Sequence, residues 1–156
     1  MRRFNLHTRP LARDDDEPPG YGGRYARVSE AVGATGLVVK LFELEPGQSI
    51  CPYHYEYVEE WLVVLEGRPT IRHPGGEEVA DPGDAICFPS GPAGAHKVTN
   101  RGSETARMLM FSDGREPSVA VYPDSDKIGV WPGNDADHVI VRRSANVDYW
   151  DGETGG

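Results

Sequence analysis

Four side chains from two separated stretches have the chemistry to hold a metal ion. In the first stretch, PGQSICPYHYEYVEEWLVVLEG, His54 and Glu56 lie two residues apart. On an extended strand that spacing sends both side chains from one face, because successive residues alternate. Glu60 follows a short irregular YVE step and directly precedes an apolar run. In the second stretch, PGDAICFPSGPAGAHKVTN, His96 comes just after a loop rich in glycine and proline. Imidazole and carboxylate suit zinc, iron(II), manganese or nickel. Two histidines with one or two carboxylates leave coordination positions open for water or substrate, which separates a catalytic ion from a structural one. Metal binding by free imidazoles should weaken below about pH 6.5, where histidine takes up a proton.

The elements that must position these groups are short strands. Nineteen glycines and thirteen prolines cut the chain into pieces, and no segment sustains a helical apolar period. The best helical candidate, residues 24–32, is short. Strand-like runs are expected at 37–44, 61–66, 70–72, 78–80, 85–88, 97–99, 107–111, 118–121 and 139–142, with turns at His73-Pro74-Gly75-Gly76 and Asp81-Pro82-Gly83-Asp84. The run WLVVLE at 61–66 is apolar at alternate positions of both parities, which predicts a strand covered on both faces. Many short strands with regular turn signals imply an all-β, antiparallel sandwich or barrel able to return His96 to the first group.

Composition narrows the function classes. The chain has 156 residues, 25 carboxylates against 16 lysines and arginines, and a net charge of −9, which disfavours a nucleic acid or an anionic membrane as partner. The longest apolar stretch, 61–65, is too short to span a bilayer. The N-terminal stretch is basic without an apolar core, so it does not read as a secretory signal, and Cys51 and Cys87 are expected to be reduced thiols in a cytoplasmic protein. Both cysteines read as small buried hydrophobes. His7, His73 and His138 fall in tail, turn and loop positions and receive no role. Tyr122, Asp124 and Lys127 form a polar group on an expected loop. The acidic, breaker-rich 8–23 segment reads as a loose arm.

The two stretches together resemble the cupin superfamily. Gly47, His54, Glu60 and Gly67 fit its first motif, with one extra residue before the histidine. Gly83, Pro89, Gly91, His96 and Asn100 fit its second, with two extra residues before the histidine. One departure is plain: the family's His-x-His is here His54-Tyr55-Glu56. The resemblance implies a jelly-roll, or double-stranded β-helix, barrel with one divalent metal ion inside it near one mouth. The ligands would be His54, Glu60 and His96, with Glu56 a fourth ligand, an outer group or a general base. It also implies a homodimer that exchanges edge strands through an N-terminal arm. The expected organisation is an arm at 1–30, a barrel core at 31–122 and an extension at 123–156 packing on the barrel.

The function implied is metal-dependent chemistry on a small polar molecule. Iron(II)-type dioxygenation is the first expectation, because histidine-carboxylate sites with open positions suit iron(II); isomerisation of a sugar or sugar phosphate and lyase chemistry are the alternatives, with Glu56 or Glu60 moving protons. A non-catalytic module binding metal or a small molecule is the alternative from another class. For substrate contact the expected residues are Tyr53, in the aromatic cluster around the first ligands, and Arg72. The latter could hold a carboxylate or phosphate inside the barrel, or be solvated beside its turn.

Overall fold

A computed structural model describes residues 1–14 and 16–155. Its strands are β1 (Arg24–Arg27), β2 (Leu37–Leu44), β3 (Tyr55–Glu56), β4 (Glu60–Glu66), β5 (Thr70–His73), β6 (Gly76–Val79), β7 (Ala85–Phe88), β8 (Lys97–Thr99), β9 (Ala106–Asp113), β10 (Ser118–Tyr122), β11 (Lys127–Trp131) and β12 (Val139–Arg142). They form a five-stranded sheet in the order β1-β2-β9-β4-β7, a four-stranded sheet β12-β11-β10-β3 and a three-stranded sheet β6-β5-β8. Every strand pair is antiparallel, and the architecture is the jelly-roll barrel. Among the described residues no helix is long and apolar enough to cross a membrane.

Strand register decides which side chains enter the barrel. β2 pairs with β9 along its whole length, and β9 pairs in turn with β4. One row across the sheet is therefore Phe42, Met108 and Val64, and the next is Lys40, Met110 and Leu62. The row after that is Val38, Ser112 and Glu60. Leu44, Leu62, Val64 and Met108 meet Ile71 of β5 and Val98 of β8 in one buried cluster, with Phe42 and Met110 packed against it. These three rows thus share the inner face, and the apolar core gives way to polar residues toward the end that carries Glu60.

Three details depart from the sequence reading. β4 is buried on one face only: Leu62 and Val64 are covered, whereas Trp61 is 41% exposed. An antiparallel sheet needs only one apolar face against a core, so an apolar run does not by itself report two covered faces. Residues 24–32 are a strand followed by a single helical turn, α1 (Val28–Val32), which ends on Gly33 in the left-handed conformation. Edge pairing with β2 satisfies more backbone groups here than a short isolated helix would. The 8–23 segment is tied to the barrel rather than loose: Ala12 and Tyr25 exchange backbone hydrogen bonds of 2.8 Å, Ser49 N donates to Gly20 O at 2.8 Å, and Gln48 Nε2 donates to Gly22 O at 3.1 Å.

Asn100 fastens the loop after β8 to the barrel. Its side chain is fully buried; Nδ2 donates to the carbonyls of Leu44 (2.9 Å) and Glu104 (2.7 Å), and Oδ1 accepts from Gly102 N (3.0 Å). Asn100→Ala removes all three bonds from a dry environment. Buried polar groups left without partners cost about 1–3 kcal/mol each, so a loss on the order of 3 kcal/mol is expected. A urea denaturation series would report it as a lowered midpoint at unchanged slope.

Candidate metal centre

The site is built where the two ligand stretches run side by side. His54 and His96 face each other across a single antiparallel bridge, with His96 N donating to His54 O at 2.8 Å and His54 N to His96 O at 3.1 Å. The Gly/Pro loop before His96 is shaped for this approach. Gly91, at φ +83°, donates its N–H to the Glu56 carbonyl at 2.7 Å, which docks the loop on β3. At Gly94 a Cβ would lie 1.8 Å from the Pro89 carbonyl oxygen, so only glycine allows that tight turn.

Both imidazoles are held in one tautomer by the backbone. His54 Nδ1 lies 3.0 Å from Pro52 O, and His96 Nδ1 lies 2.9 Å from Gly94 O. A carbonyl can only accept, so each Nδ1 carries the proton and each Nε2 presents a lone pair. Those Nε2 atoms approach Glu60 Oε2 at 3.7 Å and 3.8 Å. His96 Nε2 is buried with no hydrogen-bond partner. Phe88 stacks on the His96 ring at 3.7 Å between centroids, fixing its plane.

This donor set fits a divalent ion. One ligand atom from each of His54, Glu60 and His96 lies within 4.8 Å of the others. Two donors each about 2.1 Å from a common ion sit about 3 to 4 Å apart, whereas a direct hydrogen bond would be shorter. An orphaned imidazole nitrogen aimed at a carboxylate also costs free energy that an ion would offset. Burial shapes the charges in the same direction. Desolvation pushes the Glu60 carboxyl up to about 8, with Glu56 adding to the rise and Lys40 opposing it. Desolvation, then His54, brings His96 down to about 4, and desolvation lowers His54 as well. Near neutral pH both histidines are therefore neutral and ready to ligate.

A cavity of about 390 Å³ opens on this cluster, within the usual range for small-ligand sites. His54, Glu56 and Glu60 line it, together with Lys40, Cys51 and Tyr122. His54 and Glu56 thus reach one cavity, as strand alternation predicts. Glu56 stands outside the three-donor cluster; its Oε2 accepts a 3.3 Å hydrogen bond from Ser118 Oγ, and burial raises its pKa. Tyr122 stacks near His54, with ring centroids 6.0 Å apart.

Other expected site residues lie elsewhere. Arg72 is ion-paired with Asp124 through both guanidinium nitrogens and lies over the Tyr53 ring, 3.9 Å from its centroid. Neither Arg72 nor Tyr53 lines the metal-side cavity; Arg72 borders a separate cleft with Lys97 and Arg101. The physical reason is parity: Ile71 takes the inward position on β5, so its neighbour Arg72 faces outward. Cys51 lines the metal-side cavity, and Cys87 is exposed rather than buried; both are free thiols. Lys40 and Ser118 are among the cavity residues that the sequence reading did not single out. The single lysine inside the largely apolar LVVKLFEL strand, on the parity of Val38 and Phe42, was the available signal.

The cupin domain family model matches residues 40–112, the stretch that carries β2 through β9 and all four candidate ligands. Residues 40–112 are a cupin domain. The cupin resembles a putative sugar phosphate isomerase of Acidithiobacillus ferrooxidans in structure, with a TM-score of 0.81, 25% identity, and 92% of this chain and 91% of that one covered. It also resembles the polyketide cyclase RemF of Streptomyces resistomycificus, at a TM-score of 0.60 and 26% identity over 76% of this chain and 83% of that one. Among characterised sequences it is 29% identical over 79 residues to the tetracenomycin polyketide synthase protein TcmJ of Streptomyces glaucescens. That match takes in 51% of the cupin chain and spans about half, 52%, of TcmJ.

Proposed function

We propose that this cupin is a metal-dependent enzyme that moves a proton next to a carbonyl in a small polar molecule, as in the isomerisation of a sugar or sugar phosphate. The observation that carries this reading is the division of labour between two carboxylates in one cavity. Glu60 converges with His54 and His96 on a common point, while Glu56 remains free and oriented by Ser118. When bound, the ion supplies Lewis acidity toward a substrate oxygen. Glu56 then has what a general base needs: an unligated carboxylate, fixed by a hydrogen bond and facing the same cavity. Glu60, expected from sequence to serve either role, is used as a ligand. The structural resemblance to a putative sugar phosphate isomerase supports this choice of reaction.

The test is solvent exchange. Incubated in D2O with aldose and ketose phosphates, the manganese-loaded protein should incorporate deuterium at the carbon next to the carbonyl, read by proton NMR. Glu56→Gln should cut exchange by at least about 100-fold, the typical worth of a positioned base, while retaining one metal per chain. Exchange that persists in Glu56→Gln would remove the base from this reading.

A second reading rests on the donor set itself. Two histidines and one carboxylate with open positions are also the ligands of non-haem iron(II) oxygenases. Substrate-dependent oxygen uptake by the iron-loaded protein, without deuterium exchange, would favour it.

A further inference from the structure

β2 contributes Leu44 and Phe42 to the apolar wall and also places one cation inside the barrel. Lys40 stands in the row of Met110 and Leu62, one row from Ser112 and Glu60, on the inner face of the five-stranded sheet. Two strand spacings separate β2 from β4, so its stem starts roughly 10 Å across the cavity from the Glu60 strand. Its side chain is half-buried and lines the cavity. Among the described residues no carboxylate forms an ion pair with Lys40, and its ammonium has no hydrogen-bond partner. The other cations near the ligand stretches are engaged. Arg72 is paired with Asp124, Arg101 with Glu77, and Arg107 lies against Glu43. Lys97 rests on Tyr21.

A long cation half-withdrawn from water and without a counter-charge is costly unless something completes it. Glu56 and Glu60 share its cavity without pairing to it, and they are occupied by Ser118 and by the ligand cluster respectively. Arg27, which also lines the cavity, is paired with Glu30, and Asp14 and Glu17, also on the lining, form no ion pair with Lys40.

We propose that Lys40 is the anion-binding, specificity-determining residue of this cavity, so that the substrate carries a carboxylate or phosphate opposite the oxygens that reach the metal. This rests on the metal reading of His54, Glu60 and His96 and adds the substrate's charge to it. It selects sugar acids and sugar phosphates over neutral sugars. Both groups offer the same chemistry to an ammonium, namely charge-assisted hydrogen bonds to anionic oxygens.

The experiment uses calorimetric binding of gluconate, glucose 6-phosphate and uncharged sorbitol to manganese-saturated protein, with metal stoichiometry measured in each sample. Wild type should bind at least one of the two anions about tenfold or more tightly than sorbitol. Whichever anion binds more tightly identifies carboxylate or phosphate as the group. Lys40→Met, which keeps the apolar stem of the side chain, should erase that preference, leaving sorbitol binding and metal content unchanged. Lys40→Arg should restore most of it. An anion preference that survives in Lys40→Met would overturn the proposal, as would a wild type that binds neither anion better than sorbitol. If wild type binds no metal yet prefers the anions through Lys40, the metal reading fails and the anion site stands.

Discussion

Replacing His96 with alanine is expected to weaken divalent-metal binding by about 100-fold or more. Structural zinc sites are worth roughly 10–16 kcal/mol, and sharing that among a handful of ligands assigns about 3 kcal/mol to each. The geometry explains why no neighbour can substitute. His96 is fully buried, its Nδ1 is committed to Gly94 O, and its ring is clamped against Phe88. Its Nε2 makes no hydrogen bond and faces Glu60 Oε2, 3.8 Å away. A purely structural buried histidine would behave differently, because it would have a partner at both nitrogens. Calorimetric titration of manganese or zinc into metal-stripped protein measures the change. A folding defect is a foreseeable confusion, since alanine leaves a void beside Phe88. His54→Ala, on the cavity wall, is the second arm and should show the same loss. In wild type, saturating metal should also raise the melting temperature, since a ligand bound only by the folded state adds stability. That increment should vanish in either variant. A His54→Ala/His96→Ala double variant that retains metal would sink the ligand set.

How far the site could be read from sequence depended on whether local rules were enough. β2, β7, β8 and β12 have the bounds that their apolar runs mark, and β2 and β7 stop at the breakers Pro46-Gly47 and Pro89. β3 is only two residues long, and its pairing with β10 is a tertiary fact that no periodicity announces. β11 was hidden for another reason. Its Lys127–Trp131 segment follows a polar group that reads as loop, yet Lys127 itself opens the strand opposite Tyr122. The ligand residues were legible because their types and order are unusual. Arg72 kept two readings, inside the barrel or solvated beside its turn, because one-residue parity decides whether a side chain enters a barrel and local sequence carries no parity mark. Lys40 was passed over for the converse reason. It lies outside both motifs, and only the β2-β9-β4 register shows that it shares a face with Glu60.

The pH dependence of metal binding should be governed by Glu60 rather than by histidine. An unperturbed set would bind metal equally well above about pH 6.5 and lose affinity below it with a two-proton slope. Burial inverts that order. The Glu60 carboxyl is pushed up to about 8, so at pH 7 the metal-free site holds a proton there that the incoming ion must displace. His96 is down at about 4 and His54 is lowered too, so neither competes near neutrality. Affinity should therefore fall about tenfold per pH unit from pH 8 down to about 5, roughly 1000-fold in all, with one proton released per ion. Metal-free stability provides an independent check of the sign. Glu60 binds its proton more tightly folded than unfolded, so its contribution is full below its unfolded value and is lost as pH rises toward 8. His96 acts oppositely, adding stability as pH rises from about 4 to 6.5, and the lowered His54 works in the same direction. Stripped protein should consequently melt highest near pH 6.5 and lose roughly a kcal/mol per pH unit above it. Glu60→Gln should flatten that alkaline limb and remove the proton release together with the metal. A binding curve flat between pH 8 and 6.5 would show that the carboxyl is not desolvated, and with it would go the tightly enclosed donor set described for this site.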